Sequence, residues 1–195
     1  MIVNIADELF RIDNKSNDLF SFFRDYIVDD ESMIKSESIK IIENGNNEIE
    51  IFRQVNNHLC SKKKILFHGV SIKQFSSGLV ILGPSGSGKT TLAKKMICAD
   101  SKSQIICDDK IIIGMKGERL VAWSTPWLGK EHIGSNDVIQ IDKIIVTPIK
   151  NNLIIMDEKL KVDIILKQIM PITLKSIINV ADIVDFIVKN VPFYQ

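Results

Sequence analysis

The sequence predicts an α/β fold, and three observations in the middle of the chain carry that prediction. An apolar run, residues 79–82, leads into a glycine-rich stretch, residues 83–91, which is followed by a segment of helical spacing. A further apolar run, residues 104–107, ends directly in Asp108 and Asp109. A strand, a glycine turn, a helix and a returning strand are typical of a sheet flanked by helices.

Length and composition favour one compact unit. With 195 residues, the chain can form one sizeable core, and we expect an N-terminal strand and helix appendage (1–60) packed on a main domain (61–195). The formal net charge of +1 argues against nucleic acid as a partner. Three cysteines without paired spacing predict neither disulfides nor a zinc site. No apolar run reaches the ~18 residues of a membrane span, so we expect a cytoplasmic protein with no membrane partner.

The N-terminal region predicts short elements. Residues 1–12 alternate weakly, which indicates one or two strands, and residues 17–28 place aromatic side chains at helical spacing, which predicts a short amphipathic helix. That aromatic face could bind a partner, but packing against the main sheet is favoured. Residues 38–42 and 48–55 alternate on either side of an Asn-Gly stretch, which predicts a hairpin.

The remaining elements follow the same patterns. Residues 64–75 predict a strand that passes through His68. Near the C-terminus, the patterns predict strands over 141–147 and 153–156 and helices over 158–169 and 172–188.

The glycine-rich stretch has the spacing of a Walker A phosphate loop, Gly83-x-x-x-x-Gly88-Lys89-Thr90. Glycines allow backbone angles at which successive N–H groups point at one anion, and the following helix adds its positive N-terminus. Lys89 is expected to reach the β- and γ-phosphates, and the Thr90 hydroxyl to coordinate Mg²⁺. The alternative is a glycine-rich turn with an accidental lysine. The predicted nucleotide-binding residues are Gly83, Ser85, Gly86, Ser87, Gly88, Lys89, Thr90 and Thr91.

Asp108 and Asp109 form the second chemical element. In phosphate-loop proteins, an acidic residue at the carboxyl end of a neighbouring strand holds Mg²⁺. A second carboxylate can accept the proton of an attacking hydroxyl. Consecutive side chains on an extended chain point in opposite directions, so both acids serve one site only if the strand end turns. The alternative is an acidic turn that caps a strand.

These segments resemble the catalytic domain of HPr kinase/phosphorylase, whose fold is related to phosphoenolpyruvate carboxykinase. The resemblance is carried by Leu66-Phe67-His68-Gly69-Val70, by residues 78–83, by the phosphate loop and by Ile106-Cys107-Asp108-Asp109. It is close between His68 and Asp109. It implies a P-loop kinase domain with a mixed central sheet and flanking helices, and the use of ATP and Mg²⁺. The pattern also agrees with small stand-alone HPr-kinase-like proteins, and residues 191–194 look like the short final strand common to the family.

The resemblance also implies roles for individual residues. His68 would help to shape the phosphoryl-transfer site, whereas a single histidine on a buried strand is otherwise more often a core residue. Asp108 and Asp109 would supply a metal ligand and the catalytic base, and which does which is left open. The predicted catalytic residues are Asp108, Asp109, His68 and Lys89, and the predicted metal ligands are Thr90 and Asp109.

The chain departs from that family after the acids. The family's Glu-Ile-Arg-Gly-Leu-Gly motif is replaced by residues 129–136, which lack its Arg-Gly-Leu-Gly core. Phosphorylase activity and HPr as the substrate are therefore not expected. Within this stretch, Lys130 and His132 are weaker candidates for phosphate contacts, and Glu131 for a metal contact.

Trp123 and Trp127 flank a Thr-Pro pair that resembles a segment of the small HPr-kinase-like proteins. Two tryptophans around a helix-breaking proline predict either a wall over a substrate or an apolar plug at a sheet corner.

Two functional hypotheses follow. The first is Mg-dependent phosphoryl transfer from ATP to a hydroxyl acceptor, either the serine of a peptide or protein or a small metabolite. The second is a nucleotide-binding regulatory or partner-interaction module with little turnover. The sequence leaves open the acceptor, the preference for ATP over GTP or pyrophosphate, and the oligomeric state, although a homo-oligomer would match the hexamers frequent among full-length relatives.

Overall fold

The computed structural model describes residues 1–12, 17–29, 39–42, 48–75, 77–149, 155–171 and 177–195. Its strands are β1 (Ile2–Ile5), β2 (Glu8–Ile12), β3 (Ile39–Ile42), β4 (Lys64–Gln74), β5 (Ser77–Leu82), β6 (Gln104–Cys107), β7 (Lys110–Lys116), β8 (Arg119–Trp123), β9 (Val138–Gln140), β10 (Lys143–Val146) and β11 (Phe193–Tyr194). Its α-helices are α1 (Asn17–Phe22), α2 (Glu48–Ser61), α3 (Lys89–Ala99), α4 (Glu158–Gln168) and α5 (Ile177–Asn190).

The main sheet is mixed, and its long strand β4 organises it. One edge of β4 pairs antiparallel with β5, which in turn pairs parallel with β10. The other edge pairs antiparallel with two strands placed end to end, β7 along residues 64–68 and β6 along residues 71–73. The path β11-β10-β5-β4-β7-β8-β9 completes the sheet within the described residues. Asp108 and Asp109 occupy the break between β6 and β7, beside the middle of β4.

The two faces of this sheet are covered differently, because successive side chains of a strand point to opposite faces. The face that carries Ile65 is covered by α4 and α5 in one continuous core. On the opposite face, Ile72 packs beneath α3, whereas Leu66 packs against N-terminal residues such as Phe23. His68 lies between these two cores. A cavity opens at His68, beside the start of α3.

The N-terminal elements form a small sheet, in which β2 pairs antiparallel with β1 and parallel with β3. Together with α1, the turn at residues 24–26 and α2, we call them the N-terminal unit. Its apolar side chains share a core with Leu66, Ile112 and Val121 of the main sheet. The predicted strands over 1–12 are confirmed, and the predicted helix at 17–28 is shorter, ending at Phe22 before a 3₁₀ turn at Arg24–Tyr26.

The predicted hairpin over residues 38–55 is wrong, because residues 48–55 begin helix α2 and β3 pairs with β2. Ile51, Val55 and Leu59 are all buried, whereas Ile49 is 81% exposed. That four-residue spacing is helical, and the apparent alternation of a short apolar run concealed it. The predicted turn at residues 44–47 lies outside the described residues.

Elsewhere the patterns gave mixed results. The strands predicted at 64–75, 104–107 and 141–147 and the helix at 158–169 are confirmed with small shifts of their ends. The predicted strand over 153–156 and the predicted helix over 172–188 each begin outside the described residues, at 153–154 and at 172–176. The sequence patterns did not predict β7, β8 or β9. No helix in the described ranges is long and apolar enough to cross a membrane.

Candidate active site

The glycine-rich loop leaves β5 at Gly83 and enters α3 at Lys89. Gly83, Gly86 and Gly88 have positive φ angles of 153°, 75° and 88°, where any other residue would be strained. At Gly83 space is also restricted, since a Cβ would lie 2.4 Å from Thr147 Oγ1. The glycines therefore give the loop its shape and let it approach β10 closely.

The loop borders a cavity of about 460 Å³. All predicted site residues line this cavity except Gly83 and Ser87. Those two face Thr147, whose hydroxyl lies 2.6 Å from that of Ser87. No sequence motif identifies Thr147, because its contact with the loop comes from the pairing of β10 with β5.

Lys89 points into the loop. Its Nζ donates hydrogen bonds to the carbonyl oxygens of Gly83 at 2.9 Å and Pro84 at 3.0 Å. Burial lowers the pKa of Lys89, and the nearby charge of Asp109 partly opposes that effect. A phosphate in the loop would replace carbonyl partners with stronger anionic ones.

The acidic pair reaches the loop across an intervening strand. Both β5 and β6 run antiparallel to β4, so their carboxyl ends lie at the same end of the sheet. We expected the acids to follow a strand adjacent to β5. They follow β6 instead, and β4 lies between β6 and β5. This arrangement places His68 of β4 between the loop and the acids.

Asp109 is held by two basic side chains. His68 Nε2 lies 3.0 Å from Asp109 Oδ1, and Lys110 Nζ bonds to Oδ2. Burial alone would raise the pKa of Asp109, but the hydrogen bonds from His68 and Lys110 outweigh it and lower the pKa to about 2. Asp109 is therefore a carboxylate at neutral pH. Lys110 is a site residue that the sequence motifs did not identify.

Asp108 has a different environment and is only 4% exposed. Its Oδ1 accepts a hydrogen bond from Gly129 N at 2.7 Å, and its Oδ2 accepts one from Ile133 N at 3.2 Å. The chain bends at Asp108 and Asp109, and this bend lets both acids line the cavity. Asp108, however, is hydrogen-bonded to the backbone of the loop that follows β8.

That loop, residues 124–137, is called the bridging loop. Gly129, Lys130 and Glu131 form a wall of the cavity, and Glu131 pairs with Lys94 of α3 at 2.8 Å. His132 does not line the cavity. The sequence ranked these loop residues as weak candidates, because only the fold brings them opposite the glycine-rich loop.

The tryptophans belong to a plug. Trp123 and Trp127 are 5% and 7% exposed, and Trp127 packs against the rings of Phe22, Phe23 and Phe52. Neither indole lines the cavity. Of the two interpretations of this segment, the apolar plug therefore describes the tryptophans, and the wall is formed by the residues that follow them.

Within the described residues, no group of three or more His, Cys, Asp or Glu side chains could by itself hold a metal ion. The two predicted metal ligands, Thr90 with its hydroxyl and Asp109 with its carboxylate, both line the cavity. Such a sparse set suits Mg²⁺, which commonly binds through one or two carboxylates together with substrate phosphates.

No protein-family model matches the chain, and no curated protein matches it. Among solved structures, the HPr(Ser) kinase/phosphatase from Coxiella burnetii is similar, with a TM-score of 0.35 and 16% identity over 55% of this chain and 76% of that one. At this level the neighbour contributes nothing to the assignment of a function, which has to come from the residues of the site.

Proposed function

We propose that this chain is a Mg²⁺-dependent, HPr-kinase-like phosphotransferase that moves the γ-phosphoryl group of ATP to a hydroxyl group of a peptide, protein or small metabolite. One observation carries the proposal: His68 of β4 and Asp109 of the bend between β6 and β7 line the same cavity as Lys89 and its neighbours in the glycine-rich loop. If the glycine-rich loop served only as a turn, nothing would require His68 and Asp109 to lie beside it.

The glycine-rich loop is the donor site in this proposal. Its backbone N–H groups and the N-terminus of α3 would surround the β-phosphate, and Lys89 would contact the β- and γ-phosphates. The cavity of about 460 Å³ has the size of a typical cofactor site, which is roughly 300–1,000 Å³.

Thr90 and Asp109 would hold Mg²⁺ together with the phosphates. When bound, the ion neutralises charge that develops on the transferring group. Each oxygen of Asp109 accepts only one hydrogen bond from His68 or Lys110, which leaves a lone pair on each for a further partner.

His68 would accept the proton of the acceptor hydroxyl on Nδ1, because its Nε2 lies 3.0 Å from Asp109 Oδ1 and would be held as an N–H by that carboxylate. Asp109 is a carboxylate at neutral pH, and it holds His68 in a fixed orientation across the 3.0 Å contact. Asp108 is a weaker candidate for a role in proton transfer, because it is only 4% exposed, whereas the Asp109 side chain is 23% exposed.

The test compares ATP binding and turnover in the presence of Mg²⁺, with phosphate release and transfer to a panel of hydroxyl compounds as readouts. Lys89→Met should weaken ATP binding roughly tenfold or more, since a charge-assisted contact contributes ~1.5–3 kcal/mol. Lys95→Met is the matched control, because Lys95 is exposed on the same helix and does not line the cavity.

The possible results separate the two hypotheses. Failure of the native chain to bind ATP would overturn the nucleotide site. Binding without transfer or hydrolysis, over a broad panel of alcohols, would favour the regulatory module instead.

A further inference from the structure

The N-terminal unit holds the bridging loop through a buried hydrogen bond. The hydroxyl of Tyr26 lies 2.8 Å from that of Ser124, and these residues are 6% and 1% exposed. At the other end of the loop, Asn136 Nδ2 donates to the carbonyl oxygen of Asp25 at 2.9 Å. Both ends of the bridging loop are thus bonded to the same short segment of the N-terminal unit.

Aromatic packing adds a third connection. The ring of Trp127 lies 5.0 Å from that of Phe52, 6.0 Å from Phe23 and 6.3 Å from Phe22, measured between centroids. Its Nε1 is buried without a hydrogen-bond partner among the described residues. Ring packing therefore positions Trp127, two residues before the cavity wall begins at Gly129.

On its other side the loop is bonded to the acidic strand end. Asp108 accepts hydrogen bonds from the N–H groups of Gly129 and Ile133. Ser135 N donates one to the Ile106 carbonyl oxygen at 3.0 Å. The fit is close, because a Cβ on Gly129 would lie 3.1 Å from Asp109 Cβ. Movement of the loop by a fraction of an ångström would change these contacts.

We propose that Tyr26 and Trp127 are positioning residues of the active site. Through them the N-terminal unit keeps the bridging loop in contact with Asp108. The loop in turn fixes the position of the cavity wall formed by Gly129, Lys130 and Glu131. The N-terminal unit is in this view a part of the site. The effect on turnover rests on the proposed function, whereas the effect on the loop does not. Small displacements of positioning groups lower reaction rates strongly.

The first experiment measures amide hydrogen exchange of Gly129 and Ile133 by NMR. Tyr26→Phe removes the hydroxyl and keeps the ring, so the loop should open more often, and both amides should exchange about fivefold faster or more. The control is Asn56→Ala. Asn56 also links the N-terminal unit to the rest of the chain, but it donates to the Pro171 carbonyl oxygen and not to the bridging loop.

The second experiment measures ATP turnover and ATP affinity. Tyr26→Phe and Ser124→Ala should each lower turnover about fivefold or more at unchanged ATP affinity. The double variant should be no slower than Ser124→Ala, because Ser124→Ala already removes the bond to Tyr26 as well as the bond that Ser124 Oγ accepts from Asp137 N. Trp127→Ala should lower turnover further, while Asn56→Ala should leave it unchanged.

Equal exchange at Gly129 and Ile133 in Tyr26→Phe and Asn56→Ala would overturn the inference, as would unchanged turnover in Tyr26→Phe. If the native chain neither binds nor turns over ATP, the proposed function fails, and the exchange experiment alone still decides whether the N-terminal unit holds the loop.

Discussion

Two adjacent aspartates have separate tasks in this structure. Asp109 contacts His68 and Lys110, and its low pKa keeps it charged. Asp108 is almost fully buried and bonded to backbone N–H groups of the bridging loop. The bend between β6 and β7 lets the two carboxylates diverge while both remain beside the cavity.

This difference predicts distinct effects of two isosteric changes. Asp109→Asn should fold normally, bind ATP and lose turnover by roughly 10²–10⁴-fold, the usual contribution of a proton-transfer group. Asp108→Asn places an NH₂ group against a backbone N–H, and should lower the free energy of unfolding by about 1–3 kcal/mol. Urea unfolding and ATP turnover of both variants measure this. An Asp108→Asn variant as stable as the native chain would contradict the anchoring role.

At the scale of elements, the glycine-rich loop depends on β10 as well as on its own sequence. Thr147 follows β10, and its hydroxyl contacts both Ser87 and the Leu82 carbonyl oxygen. Gly83 leaves no room for a side chain on that side, whereas a Cβ on Gly86 would meet no atom within 4 Å.

Two glycine substitutions should therefore differ in stability. Gly86→Ala adds only backbone strain, about 1 kcal/mol, whereas Gly83→Ala adds a clash with Thr147 and should lower the free energy of unfolding by about 3 kcal/mol or more. Chemical denaturation without nucleotide gives both values. Similar losses in the two variants would show that the contact with β10 is unimportant.

A partly buried ion pair links β2 to β4 and α2. Glu8 accepts hydrogen bonds from Lys64 at 2.6 Å and from His58 at 3.3 Å. Burial alone would raise the pKa of Glu8, but Lys64 and His58 outweigh it and lower the pKa below 4.5, its ordinary value. The ionised Glu8 therefore stabilises the folded chain at pH values above 4.5, and this contribution is lost as the pH falls through the lower folded-state value.

Glu8→Gln should accordingly cost about 2 kcal/mol at neutral pH, and its stability should approach that of the native chain in acid. Unfolding measured at pH 7 and pH 3 tests this. Asp163→Asn, which removes an exposed pair with Lys167, is the control and should change little at either pH. A deficit of Glu8→Gln that persists in acid would contradict the assignment.

At the scale of the whole molecule, the N-terminal unit and the main sheet share one core. Phe10, Phe23 and Leu59 pack in the same cluster as Leu66 and Ile112, so neither part can unfold without exposing apolar surface of the other.

We therefore expect a single cooperative transition in urea. Fluorescence of Trp123 and Trp127 reports on the shared core, while far-UV circular dichroism follows all helices, including α4 and α5 on the opposite face. Both signals should give one midpoint. Two separated transitions would show that the N-terminal unit folds independently.

Features that depend on near neighbours in the chain could be predicted from the sequence. The loop from Gly83 to Thr91 follows from its own glycines and the start of the helix, and the strands around it follow from apolar runs. The local pattern failed at residues 48–55, where a helix resembled an alternating strand. It also gave no signal for β7, β8 and β9.

Which distant residues contact one another could be learned only from the three-dimensional structure. The position of β4 between the loop and the acids, the contact of Thr147 with Gly83, the bonding of Asp108 to the bridging loop and the contact of Tyr26 with Ser124 all join segments far apart in the chain. Such contacts depend on sheet order and side-chain packing, and no short spacing encodes either. For this reason the chemistry of the glycine-rich loop could be predicted from the sequence, and the walls of its cavity could not.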